Sequence, residues 1–348
     1  MQSTKEATIT RIVEQGEISE NENIHEFQKL ELSLKNSKEF IEITHYQAPF
    51  SIWNPYSLGE KVVLQQNNQQ EWIITDYVRQ PALFQLGTIF VFLVIAIGKW
   101  WGFRSLLSLA TSFFIIFGMI LPLILNGWSP LLATLLGSLI IVPVTFYLSH
   151  GIKPKTHIAV ISTLIALTIS GLLATIFMDK TKLTGFSSEE AGFLSVMTEN
   201  KLDIRGLLLA GIIISLLGTL DDIAVSQSSF VQQLKEANPK IKFKELFKRA
   251  MKVGQDHISS MINTLILVYA GASLPLLLLF LTSEANPMQI INLEIVAEEI
   301  VRTLSGSIGI VLAAPITTFL AAAFFTNHKN TTKKLANKKK EEEVNYFH

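Results

Sequence analysis

Several residue types and motifs are missing or scarce in this sequence of 348 residues. It contains no cysteine, which excludes disulfide bonds and metal sites with thiolate ligands. Charged residues make up only 17% of the chain and balance to a formal net charge of zero, so no overall charge attracts it to nucleic acid. It carries no HExxH zinc motif, no Gly-x-Ser-x-Gly nucleophile elbow and no P-loop. We therefore expect neither an enzyme nor a bound cofactor, and no nucleic-acid partner.

Long apolar runs dominate the chain after residue 82, whereas residues 1–82 are polar and mixed. A helix needs about 20 predominantly apolar residues to cross the hydrocarbon of a bilayer, and the region 83–326 contains several runs near that length. The sequence therefore predicts a polytopic α-helical membrane domain. Its seven predicted spans are 83–97, 103–125, 131–149, 158–178, 204–222, 258–282 and 308–326.

The first 82 residues alternate between apolar and polar side chains, as β-strands do. The alternating segments are rich in β-branched residues, such as Ile41, Ile43 and Val62, which favour strands. Five short strands in about 75 residues are typical of a small barrel or sandwich. The sequence therefore predicts a small β-barrel-like domain at 1–82, with strands at 7–13, 28–34, 39–45, 61–64 and 72–77.

Loop charges predict how the chain is oriented. Lysine and arginine are concentrated in the loop 231–257 and in the tail 327–348, whereas the segment between the last two predicted spans is acidic. Because cytoplasmic loops are rich in lysine and arginine, we expect the charged tail in the cytoplasm and the β domain outside the cell. A polar domain on the far side needs a preceding signal or membrane helix. We therefore expect an eighth span upstream of Ala7.

An acidic pair, Asp221 and Asp222, lies in the fifth predicted span. A carboxylate inside a membrane is costly and usually faces the interior of a bundle or a cavity. We predict that Asp222 is the interior acid and binds a proton or cation, with Asp221 in support. Two other interpretations stay open, in which the pair marks the end of the span or has a purely structural role with a nearby lysine. Asp222 belongs to a helical stripe of small and polar residues: Gly211, Ser215, Gly218, Asp222 and Ser226.

The sixth and seventh predicted spans also contain polar residues. Asn263 and Thr264 can donate hydrogen bonds to a carboxylate, and Ser307 lies on a helix with a stripe of small and polar residues: Arg302, Gly306, Gly309, Ala313, Thr317 and Ala321. We predict that these three residues are hydrogen-bonding neighbours of Asp222. The alternative is that the small and polar residues of these spans serve tight helix packing alone.

Between the fifth and sixth predicted spans, residues 240–254 interleave apolar residues with basic ones at helical spacing. This pattern predicts a basic amphipathic helix on the cytoplasmic membrane surface. Anionic lipid headgroups attract such a helix. The predicted lipid contacts are Lys242, Lys244, Lys248, Arg249 and Lys252.

Short motifs follow one another in a distinctive order along the chain. They are DYVR at 76–79, HG at 150–151, GTLDDIAVS at 218–226, LKEANP at 234–239, ELF at 245–247, NTL at 263–265, AGASLPL at 270–276, IVR at 300–302 and GS at 306–307. In this order they resemble the YibE/F family of bacterial membrane proteins, over about residues 7–322. The family pattern has a single aspartate at the position of Asp222, so Asp221 departs from it, as does Gln255, where the family typically has arginine. The resemblance implies a multi-pass protein of the bacterial cytoplasmic membrane, with a membrane helix before the β domain.

An intramembrane acid, an amphipathic linker and two helices rich in small residues follow one another here. This order is also similar to that of the RND permeases and the SecD/SecF translocation proteins, which use intramembrane carboxylates for proton coupling. We therefore expect a secondary transporter or a proton-coupled translocation protein. The alternative is a non-transporting scaffold or sensor whose external β domain binds a partner. The expected partners are membrane lipids and another protein or a further copy of the chain.

Overall fold

A computed structural model describes residues 4–20, 23–35, 39–47, 54–67, 69–199, 201–282 and 286–327. The chain divides into two units, Met1–Ala96 and Ile97–His348. The first unit contains a β-sheet and the beginning of the first helix, and the second contains the rest of the helices. Almost all of the predicted cytoplasmic tail, residues 328–348, lies outside the described residues.

Five antiparallel strands form the sheet: β1 (Thr4–Glu20), β2 (Asn23–Leu34), β3 (Phe40–Tyr46), β4 (Lys61–Gln66) and β5 (Trp72–Tyr77). Their spatial order is β3-β2-β1-β4-β5. The five predicted strands are confirmed, and the first two are longer than predicted. The predicted barrel-like closure is wrong, because a barrel needs hydrogen bonds between its first and last strands. Within the described residues, β3 and β5 remain the two open edges of the sheet.

The core of the first unit lies on one face of this sheet. Leu30, Leu32 and Leu64 are fully buried, as the side-chain period of two predicts. Gln28 is also fully buried and binds the backbone of Tyr56 twice. Its Nε2 donates to the Tyr56 carbonyl at 3.0 Å, and its Oε1 accepts from the Tyr56 N–H at 2.9 Å. The Gln28 amide therefore supplies the hydrogen bonds that a neighbouring strand would otherwise give to Tyr56.

Ten α-helices follow within the described residues: α1 (Gln80–Ile115), α2 (Leu121–Leu125), α3 (Pro130–His150), α4 (Pro154–Lys180), α5 (Glu189–Met197), α6 (Ile204–Ala237), α7 (Phe243–Ala272), α8 (Leu274–Thr282), α9 (Pro287–Ile291) and α10 (Glu294–Asn327). A π-helical turn, Ile116–Ile120, joins α1 to α2. Prolines open α3 and α4, where the missing N–H leaves no hydrogen bond unmade.

The number of spans differs from the predicted seven. Within the described residues, five helices are long and apolar enough to cross a membrane, and the bent pair α7–α8 makes six. The first two predicted spans, 83–97 and 103–125, fall in one helical stretch of 46 residues, Gln80–Leu125. No proline lies between the two predicted spans, and the chain is helical on both sides of a local break. The backbone leaves the helical region at Lys99 (φ 48°, ψ −129°), between the two predicted spans.

The predicted surface helix 240–254 and the predicted sixth span are not separate elements. α7 begins at Phe243 and runs for 30 residues to Ala272, with no proline to interrupt it. The chain then bends by 64° into α8. Pro275 lies in the first turn of α8, where it has no N–H to donate and where its ring would clash with the carbonyl of Gly271 if α7 continued straight. The basic segment is therefore the first half of a helix that continues into the bundle.

The centre of the second unit is formed by α4, α6 and α10, with α3 and α7 packed against them. α4 and α7 run antiparallel to α6, whereas α10 runs parallel to it. The contact pairs that give these directions are Gly171–Ile213 and Lys155–Ser229 for α4 and α6, Tyr269–Ser215 and Ala250–Gln227 for α7 and α6, and Gly306–Leu216 and Thr318–Gln227 for α10 and α6.

The two ends of this bundle carry different charges. One end, called the basic end, is where α4 and α7 begin and where α6 ends. It carries Lys153, Lys155, Lys235, Lys240, Lys242, Lys244, Lys248 and Arg249. The opposite end, called the acidic end, carries Asp179, Glu189, Glu190, Glu199, Asp203, Glu294, Glu298 and Glu299 beside a smaller number of basic residues.

Candidate functional site

Asp222 lies within the depth of the membrane bundle. The middle residue of α4 is Leu167, and the contacts between α4 and α6 place it level with Leu217. Asp222 follows Leu217 by five residues, which is about 7.5 Å along the helix axis. Half of the hydrocarbon of a bilayer is about 15 Å thick. With the centre of α4 at the middle of the membrane, the carboxylate of Asp222 falls at hydrocarbon depth.

The nearest ionisable neighbour of Asp222 given by the structure is His257 of α7. The distance from His257 Nε2 to Asp222 Oδ2 is 3.7 Å. His257 Nε2 is buried and has no hydrogen-bond partner among the described residues. The two atoms are too far apart for a hydrogen bond, which a shift of about 0.5–1 Å would form. The Asp222 side chain remains 57% exposed and that of His257 33%. An exposed acid and a partly exposed base, whose Nε2 is buried, therefore lie close together.

The α7 residues beside this pair follow from helix geometry. Ser260 and Thr264 come three and seven residues after His257, so they share its face of the helix. The Thr264 hydroxyl donates to the Ser260 carbonyl at 3.0 Å. Asn263 is six residues after His257 and points about 120° away. Its side chain is exposed and has no partner among the described residues. Of the two donors predicted on this span, Asn263 and Thr264, only Thr264 lies on the face of α7 that carries His257.

Ser307 and Asp221 occupy other positions around the bundle. Gly306 packs on Leu216, so Ser307 of α10 is level with Leu217 rather than with Asp222. The Ser307 hydroxyl is buried and unpaired within the described part of the chain. Asp221 is half-buried and points about 100° away from Asp222. The structure places His257 beside Asp222, and among the described residues none of the predicted neighbours donates a hydrogen bond to the Asp222 carboxylate.

The predicted stripe of α6 does not pack against another helix along its whole length. Gly211 faces the guanidinium of Arg302, and Ser215 accepts a hydrogen bond from the Tyr269 hydroxyl at 3.2 Å. Gly218 meets open space, and Asp222 is exposed. The end of the stripe toward the acidic end is therefore packed, whereas its continuation toward the basic end lies on the outside of the bundle. The nearby Lys235 binds the Ile241 carbonyl instead of either aspartate.

His257 was not among the predicted site residues, although its position in the sequence relative to Asp222 indicates the contact. Asp222 lies fifteen residues before the end of α6, and His257 lies fourteen residues after the start of α7. Two antiparallel helices joined by a short loop place such residues opposite each other. If residues 243–257 are predicted to form one helix with the sixth span, Asp222 and His257 are expected to lie opposite each other.

Gln227 is a second structurally important residue that was not predicted from the sequence. It is buried on α6 and connects three helices. Its Nε2 donates to the Ala250 carbonyl of α7 at 3.0 Å and to the Thr318 hydroxyl of α10 at 2.7 Å. Gly254 leaves room for this amide, because a β-carbon there would lie 2.9 Å from Gln227 Oε1. Gln227 therefore fixes α7 and α10 against α6 about one turn and a half from Asp222.

A buried charge cluster lies toward the acidic end of the bundle. Arg302 Nη2 is 2.9 Å from Glu298 Oε1, and Arg302 Nε is 3.5 Å from Glu299 Oε1. The Ser187 hydroxyl donates to the second oxygen of Glu298. Glu298 is only 8% exposed, and partners of this kind offset the cost of burying charge. This cluster ties the loop before α5 to α10 at the acidic end.

Next to this cluster, the bend between α7 and α8 leaves a groove beside α10. It has a volume of about 310 Å³. Most of its lining is apolar, and its polar side chains are Tyr269, Ser273, Glu299 and Thr303. The groove is large enough for part of an apolar molecule.

The five predicted lipid contacts lie at the basic end. Lys242 directly precedes α7, and the other four are on its first turns, all with exposed side chains. Arg249 also pairs with Glu245, one turn earlier, at 2.6 Å. The apolar side of the same segment, including Leu246 and Ala250, is buried against the bundle. The basic side chains therefore point outward from a helix that the bundle holds in place.

Comparison with known proteins gives one family. A family model described as YibE/F-like protein matches residues 86–327, which includes α2 to α10 and all of α1 except its first six residues. Comparison with curated proteins and with solved structures gives no match. Among the described residues, no group of three or more histidine, aspartate or glutamate side chains is placed to hold a metal ion.

Proposed function

The chain belongs to the YibE/F-like family, and from this premise we propose that it is a proton-coupled membrane transport protein in which Asp222 binds and releases the coupling proton. It is a multi-pass membrane protein with several spans. The proposal assigns it no enzymatic role and no cofactor. Asp222 is the titrating group, and His257 is its proton-exchange partner.

The pairing of Asp222 with His257 carries this proposal. A carboxylate at hydrocarbon depth is costly unless it has a polar function or partner. Histidine is the side chain that gains and loses a proton near neutral pH, and its Nε2 atom is 3.7 Å from the carboxylate. Because that nitrogen has no other partner among the described residues, nothing in the bundle competes with Asp222 for it. A small movement of α7 against α6 would make and break the contact.

We propose that the basic end faces the cytoplasm and the acidic end faces outward. The lysines and arginine of α7 and Lys153 and Lys155 then follow the positive-inside rule. The β-sheet unit lies outside the cell under this orientation. The break at Lys99 divides the 46-residue stretch Gln80–Leu125, which would be about 69 Å long as one straight helix, more than twice the hydrocarbon thickness. We therefore propose seven spans in this chain.

Under this orientation, the exposed basic residues of α7 contact anionic lipid headgroups. Each lysine or arginine near an anionic surface contributes about 1 kcal/mol. The contacts Ala250–Gln227 and Lys155–Ser229 place Lys248 level with the first turn of α4, and Lys244, one turn earlier on α7, lies beyond that end. This position matches the headgroup region rather than the hydrocarbon.

Proton flux in reconstituted vesicles tests the proposal. The purified chain is placed in lipid vesicles that contain a pH-sensitive dye, and a pH gradient is imposed. We expect Asp222→Asn to reduce the flux at least tenfold and His257→Gln to reduce it in the same direction. The matched control is Asp256→Asn, which removes an exposed carboxylate one residue from His257 that points about 100° away. Equal flux through the Asp222→Asn variant and the unchanged protein would reject the role of Asp222.

A transporter that moves protons only together with its substrate would show no flux in these vesicles, so a second measurement is needed. Infrared difference spectra between low and high pH report carboxyl protonation directly. The Asp222→Asn variant should lose one carboxyl C=O band that the Asp256→Asn variant retains. If both variants keep the same bands, Asp222 does not titrate.

A non-transporting scaffold or sensor is the second candidate, favoured by one observation in the sheet. The edge strand β3 exposes two aromatic side chains, Phe40 at 62% and Tyr46 at 56%. Exposed aromatic residues on an open edge strand are suited to binding a partner strand or surface. Under this candidate, Phe40→Ser would abolish capture of the partner by cross-linking, and the vesicles would show no flux with any Asp222 variant.

A further inference from the structure

A polar furrow runs along the outside of the bundle between α6 and α7. Gly218 and Asp222 of α6 line one side, and His257, Ser260 and Thr264 of α7 line the other. Asp222 and Ser260 are exposed, and a β-carbon at Gly218 would meet nothing within 4 Å among the described residues. No described residue of the second unit therefore covers the furrow.

Such a surface does not suit contact with lipid. The furrow lies between the levels of Leu216 and Asp222, close to the middle of α4, where the surroundings are hydrocarbon. A carboxylate facing lipid at this depth costs at least about 2.5–3.5 kcal/mol, and the Ser260 hydroxyl adds to that cost because lipid tails offer no hydrogen bonds. Another polar protein surface, at the same depth, is needed to cover it.

We infer that a second copy of the chain covers the furrow with the outer side of its own α7. Two copies in the same orientation are related by a two-fold axis along the membrane normal, so equal depths meet. Asp222 is level with His257 in its own copy, and Ser259 and Ser260 follow within one turn. The hydroxyls of Ser259 and Ser260 in the second copy thus reach the depth of Asp222.

The chemistry of the two faces is complementary. The furrow presents an acceptor, the Asp222 carboxylate, and the outer side of α7 presents exposed donors, Ser259, Ser260 and Asn263, none of which donates to another side chain among the described residues. Gly218 and the serines are small, and small residues let membrane helices approach closely. The polar site is incomplete in one copy and complete in two. This inference goes beyond the proposed function, since it does not require Asp222 to carry protons.

Cross-linking in native membranes tests the interface directly. The chain has no cysteine, so a single introduced cysteine is the only thiol. We expect Ser260→Cys to give a covalent dimer with a short bifunctional maleimide. The matched control is Ile161→Cys, because Ile161 is exposed at 52% on α4 and lies level with Ile223, one residue from Asp222. No more dimer with Ser260→Cys than with Ile161→Cys would overturn the inference.

A bulky residue in the furrow gives an independent test. Gly218→Leu fits a single copy, which has open space there, and blocks the approach of a second one. Native mass spectrometry from lipid nanodiscs should show a dimer for the unchanged protein and a folded monomer for Gly218→Leu. The control is Gly192→Leu on α5, which also has open space and should remain dimeric. A monomeric unchanged protein, or a dimeric Gly218→Leu variant, would contradict the inference; if that variant does not fold, the cross-linking result decides. Loss of flux with Asp222→Asn is scored separately from dimer formation, so each proposal can fail without the other.

Discussion

The amide of Gln227 occupies the space that a β-carbon on Gly254 would need, at 2.9 Å from Gln227 Oε1. This close approach brings α7 onto α6 near the contact of Asp222 with His257. The amide also reaches α10 through Thr318. The position of the candidate proton site therefore depends on one buried glutamine and one glycine.

Gly254→Val should destabilise the bundle by about 1–3 kcal/mol, because overpacking displaces a buried, hydrogen-bonded side chain. Thermal unfolding in detergent measures the loss. Gly271→Val, on the same helix, is the control, since a β-carbon at Gly271 meets nothing within 4 Å. Adding Gln227→Ala to Gly254→Val should recover part of the loss, and strictly additive effects would show that the two residues do not interact.

Arg302→Ala should destabilise the bundle by about 3–5 kcal/mol, because it leaves the buried carboxylate of Glu298 without its cation. The control is Arg205→Ala, which removes an exposed pair with Asp179 and should cost about 0–1 kcal/mol. Unfolding temperatures of the two variants in the same detergent give the comparison. Equal losses of stability would show that the Arg302 cluster is not buried.

Gln28→Leu should destabilise the β-sheet unit by about 2–4 kcal/mol, because it leaves the N–H and carbonyl of Tyr56 unpaired in a buried position. Gln69→Leu is the control, since the Gln69 side chain is exposed. Protection of the Tyr56 amide against hydrogen exchange provides the measurement. Unchanged protection in Gln28→Leu would show that the Tyr56 segment is held by other contacts.

The sheet unit should lose stability as the pH falls below about 6.5, the ordinary pKa of histidine. Burial lowers the pKa of His45, so the folded sheet favours the neutral ring. Between the unfolded pKa and the lower folded one, the unfolded chain binds a proton that the folded chain does not, and stability decreases with falling pH. NMR titration of the ring, assigned with His45→Gln, should give a midpoint below 6.5. A midpoint at or above 6.5 would contradict this prediction.

The sequence predicted which segments form helices and strands better than it predicted where one element ends and how the elements pair. Periodicity located all five strands and the apolar segments, because both patterns arise from local contact with a core or with lipid. It could not show that the sheet stays open, since closure depends on pairing between strands far apart in the chain. It also divided the basic segment from the sixth span at a change of polarity, whereas backbone hydrogen bonding continues through residues 243–272.

The candidate site was only partly visible in the sequence for the same reason. Asp222 was found because a charge in an apolar run is unusual. His257 and Gln227 stand out only after α6 and α7 are set side by side, since their roles come from contacts across two helices. Asn263 illustrates the opposite case: it neighbours Thr264 in sequence, but helix geometry turns it away from His257.

Because α7 is an unbroken helix of 30 residues, it behaves as a stiff rod of about 45 Å. One part of this rod carries Lys244 and Lys248 in the region proposed for the lipid headgroups, and its midpoint carries His257. If the basic end faces the cytoplasm as proposed, the anionic lipids that attract Lys244 and Lys248 pull on the same rigid helix that carries His257. The acid–base pair would then respond to the charge of the membrane surface without any ligand reaching it.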